Sequence, residues 1–319
     1  MVSVETITLP AAGVAGSSGP PAPRRRRRSR GLAGFLFTVP FLAGFALVFM
    51  IPFGYALVQS VFAERKSGTG LGRAVTQFVG GENFLRGASD PVFWAGVARV
   101  TVFAGVQIPV MLALSLIMAL LLDAVTGRRA QAFRLALLIP YMIPVMVGAL
   151  VWLYLYSPRL GPVTDLARQF GIDINFFSSG MLWLSIGNLL TWIHVGFNML
   201  ILYSSLRSVP RELFEAARID GAGELRLAWS VKVPAVRATL VLTGMLSIIQ
   251  MLQIFNEPLV FRTTSPETVS LNYTPIMMIY NQAFVANDYH YAAALSVLLA
   301  VIVGVASGVF YRLTNRGPA

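Results

Sequence analysis

Apolar residues run along this chain in long blocks, and short polar segments separate them. The first block extends through about residues 31–62, and five more fall at about 93–122, 132–157, 180–205, 235–261 and 289–312. Each is near or above the ~20 residues that a helix needs to cross a hydrocarbon core. The pattern therefore predicts an all-α, polytopic membrane protein with about six transmembrane helices. Residues 1–30 read as a disordered basic tail, because Gly, Pro, Ala and Ser dominate 1–23 without apolar periodicity. Residues 31–319 read as one transmembrane domain. The arginine run ahead of the first block superficially resembles a twin-arginine export signal, but that block is too long for a signal peptide and predicts a retained helix. Pro40 and Pro52 are expected to kink it or to mark broken ends.

Composition agrees with the pattern. Of 319 residues, 56% are hydrophobic and only 12% charged, and the mean hydropathy is +0.68; a soluble domain carries about 25% charged residues. The chain has no cysteine, so it forms no disulfide or thiolate metal site. Its formal charge of +11 is concentrated partly in Arg24–Arg28 and Arg30, directly before an apolar block. Such clusters set topology and touch anionic membrane lipid; no recognition motif accompanies them, which argues against nucleic acid.

Further basic residues fix the expected orientation. Arg128, Arg129, Arg134, Arg207, Arg211, Arg218, Arg226, Lys232, Arg237, Arg312 and Arg316 fall on the side of the N-terminal cluster. Arg65, Lys66, Arg73, Arg86, Arg99, Arg159, Arg168 and Arg262 fall opposite, several offset by acidic neighbours. With six spans, the positive-inside rule puts both termini in the cytoplasm.

The segment between the fourth and fifth blocks, 206–234, carries the most chemistry. Ser208 is placed to cap a helix with Pro210 in its first turn. That helix runs through Leu213, Phe214, Glu215, Ala216 and Ala217, and Gly221 supplies the permissive backbone that ends it. A second short helix would put Leu225, Ala228 or Trp229, and Lys232 on one face, with Pro234 starting the next span. The product is a helix–turn–helix elbow whose small residues admit another surface closely.

Glu215-Ala216-Ala217, then Asp220-Gly221-Ala222, then Pro234 nineteen positions after the glutamate resemble the EAA loop of ABC-importer permeases. With Gln253–Glu257 and Tyr291–Ser296, the chain is similar to binding-protein-dependent sugar permeases of the maltose and glycerol-phosphate type, more the first of the two homologous subunits. The resemblance implies a type I importer permease fold and a bacterial or archaeal plasma-membrane location. It implies a sugar-like solute, a second homologous permease, an extracytoplasmic solute-binding protein and a cytoplasmic ATPase that the loop couples to. ATP and magnesium would belong to that ATPase; no cofactor is expected in this chain. Two departures stand out. Six residues before the proline, where the family tends to carry an aromatic, stands Ala228, with Trp229 beside it; Thr264-Ser265-Pro266 replaces a Gly-Gly-Pro between the last two spans.

Polar residues inside spans are costly unless they face a cavity or each other. Asn188 and Trp192 lie one turn apart in the fourth block, followed by Asn198; Gln250, Gln253 and Asn256 recur at i, i+3 and i+6 in the fifth. Amides donate and accept, and aromatic rings stack on sugar faces, so these six are candidates for a solute path. Interhelical hydrogen bonding is the alternative. Tyr141, Pro144, Trp152 and Tyr154 read more readily as packing or anchors, His194 as a buried hydrogen-bonding histidine, and His290 as interfacial. Two separated histidines make no metal site, and Gly68–Gly72 reads as an external loop, without the lysine and hydroxyl of a phosphate cradle.

No Walker-type motif is present, which points away from an ATPase; no nucleophile–base cluster points to an enzyme. An ion-coupled secondary transporter would need a mid-span acid, whereas Asp123 and Glu257 fall near span ends. A permease for a non-sugar solute is the other alternative.

Overall fold

The apolar blocks fold as helices because a hydrocarbon environment offers no outside partners for backbone N–H and C=O groups. The computed structural model describes residues 28–66, 74–125 and 127–314; the tail 1–27, Arg73, Arg316 and the Gly68–Gly72 stretch lie outside them. The chain divides into two units, residues 1–52 and 53–319. In the first, α1 (Arg28–Phe45) continues through Pro40, so that proline marks no broken end. The irregularity comes later, as a π-helical turn at Ala46–Met50 just before α2 (Ile51–Ser60).

Among the described residues the regular structure of the second unit is helical apart from one hairpin, which the apolar blocks do not announce. Strands β1 (Phe62–Lys66) and β2 (Ala74–Phe78) pair antiparallel, with Phe62 opposite Phe78. The short α3 (Glu82–Ser89) follows. From it the buried Asn83 amide donates to the carbonyls of Ser60 and Phe62 (2.9 and 2.7 Å), closing the hairpin's base. Then comes α4 (Pro91–Ala124), whose N-cap Asp90 accepts from Val92 and Phe93 N–H. Asp90 also accepts from the Tyr291 hydroxyl (2.8 Å), tying α4 to the last helix.

The third block is not one straight span. It forms α5 (Gly127–Leu138), a 3₁₀ turn at Ile139–Met142 and α6 (Val145–Leu155), bent by 95°. Pro140 and Pro144 flank the bend, and proline there interrupts the helical hydrogen-bond ladder. Helix α7 (Pro162–Gln169) precedes α8 (Leu182–Arg207). Helices α4 and α8 build the core, where Phe93, Val100, Met111, Leu182, Ile186 and Ile193 are fully buried or nearly so. They are also joined by polar contacts: the Gln107 amide donates to Gly187 O and Thr191 Oγ1 (2.9 and 2.8 Å), and Ser115 donates to Val195 O (3.2 Å). At Gly196 a Cβ would run into the Leu137 carbonyl, so glycine lets α5 close on α8.

After α8 come α9 (Arg211–Ile219), α10 (Glu224–Leu227), α11 (Val233–Ala235) and α12 (Arg237–Leu252). The helix then breaks before α13 (Asn256–Arg262), α14 (Pro275–Phe284) and α15 (Tyr289–Thr314) complete the chain. Buried Thr274 serves the break: its hydroxyl donates to the free Ile254 carbonyl (3.0 Å) and accepts from Met277 N–H (3.3 Å) as the cap of α14. Among the described residues five helices are long and apolar enough to cross a membrane, and six if the bent α5–α6 pair is one crossing. The fold class is therefore the expected polytopic helical one, with the hairpin, α3, α7 and α14 added between spans.

Thr274→Val keeps the shape but removes both hydrogen bonds, leaving a buried carbonyl and N–H unmet. A loss of about 1–3 kcal/mol is expected, read as a lower thermal unfolding midpoint in detergent. An unchanged midpoint would show that the broken span does not rely on that hydroxyl.

Candidate functional site

The elbow starts where α8 ends. Ser208 does not cap α9 as the sequence suggested; its hydroxyl turns back to Ser205 O (2.7 Å), and Pro210 occupies the N-cap position. Glu215, Ala216 and Ala217 lie on α9, Glu215 and Ala216 exposed. The helix stops as its glycine requires. Gly221 has φ +81° and donates to Arg218 O, while Ala222 N–H donates to Ala217 O (both 3.0 Å). These two bonds, with Asp220 at the C-cap, form a Schellman motif that satisfies the last carbonyls of α9. An exposed Arg218–Glu224 pair (2.8 Å) spans the turn and contributes little by itself.

Beyond the turn the expected single helical face gives way to two pitches. Helix α10 passes into a π-helical turn at Ala228–Lys232, then α11, which contains Pro234. The wider turn separates residues that an α-helix would align: Lys232 points inward, while Leu225 and Trp229 are 76% and 66% exposed. Ile219, at the end of α9, is 86% exposed. The elbow thus presents large apolar side chains beside its small ones, the arrangement of a surface made to be covered.

What holds the elbow is a buried ion pair. Lys232 Nζ lies 2.7 Å from Asp123 Oδ2, and the two side chains are only 9% and 11% exposed. Asp123 stands at the end of α4, so the pair fastens the elbow to the longest helix of the core. The ammonium also lies 5.5 Å from the Phe214 ring on α9, bringing both arms of the elbow to one charge. The sequence placed Asp123 only near a span end, with no partner; the 109-residue separation hid it.

The proposed solute-path residues fare unevenly. Asn188 and Trp192 share a face of α8: the Asn188 amide donates to the Tyr156 hydroxyl (2.8 Å), and Trp192 meets Trp152 edge-on at 5.9 Å. Asn198 is buried within the helix packing instead. The periodic run Gln250, Gln253, Asn256 is not one helical face. Gln250 lies in the last turn of α12, Gln253 is its C-cap, and Asn256 opens α13. Gln250 and Gln253 remain exposed at this break. Tyr141 stacks on Phe197 (4.3 Å) and Tyr154 is exposed. His194 is buried, but its Nδ1 has no hydrogen-bond partner among the described residues. His290, in the first turn of α15, is also buried, with Nδ1 3.0 Å from Gln59 O.

One residue that charge counting assigned only to topology shares a cavity with Asn188. Arg99 borders the same cavity as Asn188, Gln107 and Trp183, a space of about 810 Å³ along α4 and α8. Its guanidinium donates to Tyr273 O and lies 4.4 Å over the Tyr273 ring, which stacks on Trp183 at 5.5 Å. Burial pushes the Tyr273 phenol up, and the neighbouring Arg99 charge opposes that shift. Among the described residues no carboxylate forms an ion pair with Arg99.

Comparison with known proteins gives a consistent result. Residues 111–317 match the family described as binding-protein-dependent transport system inner membrane component. The sn-glycerol-3-phosphate transport system permease protein UgpA of Yersinia pseudotuberculosis is 28% identical over 285 residues, covering 88% of this chain and 94% of its own. The protein of that name from Salmonella choleraesuis is 30% identical over 294 residues, covering 89% and 94%. Among solved structures, a chain of a bacterial ABC transporter involved in import of the acidic polysaccharide alginate superposes with a TM-score of 0.76. It is 16% identical and covers 91% of this chain and 98% of its own. The same kind of transporter, in complex with an alginate pentasaccharide-bound periplasmic protein, gives 0.74 at 18% identity.

Lys232→Met would strand the Asp123 carboxylate in a buried site at a cost of about 3–5 kcal/mol, whereas the double change D123L/K232M should recover most of it. Thermal unfolding of the four proteins in detergent gives the coupling energy. Strictly additive single effects would show that the two charges do not act as a pair.

Proposed function

The chain belongs to the family of binding-protein-dependent transport system inner membrane components, the permeases of ABC importers, and on that premise we propose how it works and with what. The family is one of membrane translocation subunits, not enzymes, and this chain is accordingly a multi-pass inner-membrane permease. In our reading it admits a sugar or sugar-like solute and draws its energy from a separate cytoplasmic ATPase, which holds ATP and magnesium. A second homologous permease and an extracytoplasmic solute-binding protein complete the assembly.

The observation that carries the coupling role is the anchored elbow. Glu215, Ala216, Ala217, Asp220, Gly221, Ala222 and Pro234 lie on a loop with exposed apolar side chains at one end and a buried ion pair at the other. A surface bound to an ATPase at Ile219, Leu225 and Trp229 would transmit its displacement through Lys232 and Asp123 into α4. Rigid-body motion of that kind is how nucleotide-driven closure would switch the cavity between its two faces.

The solute reading draws on relatives named for sn-glycerol-3-phosphate transport and for alginate import. Both solutes are rich in hydroxyls and carry negative charge. The amides of Asn188, Gln250 and Gln253 suit hydroxyl groups, and Trp192 suits a sugar face. Arg99, with its remaining guanidinium N–H groups and no ion-pair partner among the described residues, suits an acidic substituent. Asn198 and Asn256 take a supporting place in this reading, as packing or helix-end residues. Orientation follows the charge: the elbow end, with Arg128, Arg129, Arg207 and Arg211, faces the cytoplasm, and both termini share that side.

Two experiments test this. Affinity purification of the tagged chain in mild detergent should recover an ATPase and a second permease, and Gly221→Asp, which needs φ +81° at a residue with a Cβ, should lower ATPase recovery at least tenfold. A chain that purifies alone while its transport persists would overturn the importer assignment of partners. Because the chain has no cysteine, a single cysteine can report sidedness. E267C should react with an impermeant maleimide in intact spheroplasts and E224C only after permeabilisation; the reverse pattern would invert the topology.

A further inference from the structure

Three arginines from three different elements converge at the elbow end of the protein. Arg134 from α5, Arg207 from the last turn of α8 and Arg211 from the start of α9 line one cavity of about 390 Å³. Its other described walls are Val125, Gly127, Ala130, Gln131 and Tyr203. No carboxylate is among them. The ion pairs of the described residues are Arg65–Glu82, Arg86–Asp288, Arg168–Asp165, Arg218–Glu224 and Lys232–Asp123, so among the described residues none of the three arginines, of which Arg207 and Arg211 are exposed and Arg134 half-buried, pairs with a carboxylate. Arg207 and Arg211 also border a larger neighbouring cavity that does hold carboxylates, at Asp123, Glu215 and Glu224. The smaller space is where positive charge stands without compensation.

One of the three has an ordinary explanation: Arg207, ending α8, offsets the negative end of that helix dipole. That does not account for Arg134, placed mid-way along α5 and half-buried, or for Arg211 at a helix start, where the dipole disfavours a cation. Like charges gathered around one cavity repel, and the arrangement costs less when an anion occupies it. Guanidinium groups match phosphate oxygens in bidentate geometry, and the volume lies in the ~300–1,000 Å³ range of small-ligand sites. Next to Arg134, Leu135 on α5 and Ile139 at the start of the following 3₁₀ turn, spaced i and i+4 on one flank, are both more than half exposed.

We propose that Arg134, Arg207 and Arg211 form a phosphate-binding site, and that its occupant is the headgroup of an anionic phospholipid whose acyl chains lie along Leu135 and Ile139. Charge selects the headgroup, and the exposed apolar side chains of Leu135 and Ile139 favour a lipid over free phosphate. Bound there, the lipid clamps α5 and α8 to the first arm of the elbow, so its presence raises the energy needed to move that arm.

The test is a thermal-shift titration of the tagged chain, purified in detergent with whatever partners accompany it. The probes are phosphatidylglycerol, phosphatidylcholine and inorganic phosphate. Phosphatidylglycerol should raise the unfolding midpoint of the wild type, and R134Q/R207Q/R211Q should need at least tenfold more of it for the same rise. The control R128Q/R129Q/R226Q removes equal charge from side chains that do not line the cavity and should respond as wild type. Stabilisation by inorganic phosphate alone, lost in the triple variant, would keep the phosphate site but replace the lipid with a soluble anion. Equal response to phosphatidylcholine, or equal loss in both triple variants, would overturn the site. Should R134Q/R207Q/R211Q fail to purify, R134Q alone carries the same comparison against R129Q.

Discussion

Everything in this molecule is arranged around the need to satisfy backbone hydrogen bonds where water is absent. Unbroken helices meet that need by themselves, and α8 and α15, which hold no internal proline, do so along their lengths. Wherever a span is interrupted, a specific group must take up the orphaned donors and acceptors. At the α12–α13 break it is Thr274 that answers Ile254, and the same hydroxyl starts the next helix. At the α5–α6 bend the prolines remove donors in advance, so fewer groups are left wanting. Interruptions are tolerated only at such prepared places.

The second organising contact is electrostatic. A lysine and an aspartate far apart in sequence share one dry site, and neither is tolerable there without the other. This makes the elbow a continuation of the core rather than a loop hung from it. A loop held only by its chain ends would absorb a push by flexing. One pinned at Lys232 passes the push to α4.

Much of this was legible in the sequence. Long apolar blocks gave the number and order of spans, because twenty-odd apolar residues admit few other states. The elbow and its glycine stop were readable because Gly221 sits where a helix must end. Four things were not. The hairpin and α14 lie in polar or mixed segments whose pattern is too short to separate strand, helix and loop. The 95° bend hides inside a block that is apolar throughout. The run Gln250, Gln253, Asn256 looked like one face because periodicity presumes an unbroken helix, and the break at Gln253 removes that premise. Asp123–Lys232 and Arg99–Tyr273 are tertiary pairings, for which no local pattern exists.

The π-helical turn at Ala228–Lys232 changes how the elbow's sequence should be aligned. Counting back from Pro234, the aromatic stands one place off the position where related loops tend to carry theirs. In a turn closed by i→i+5 bonds, one residue more is taken up per turn, so a side chain's direction no longer follows from its distance to the proline. Trp229 still faces outward and Lys232 still reaches inward. Spacing to the proline is therefore a poor guide to direction in this loop, because the wider turn decides which side chains face out.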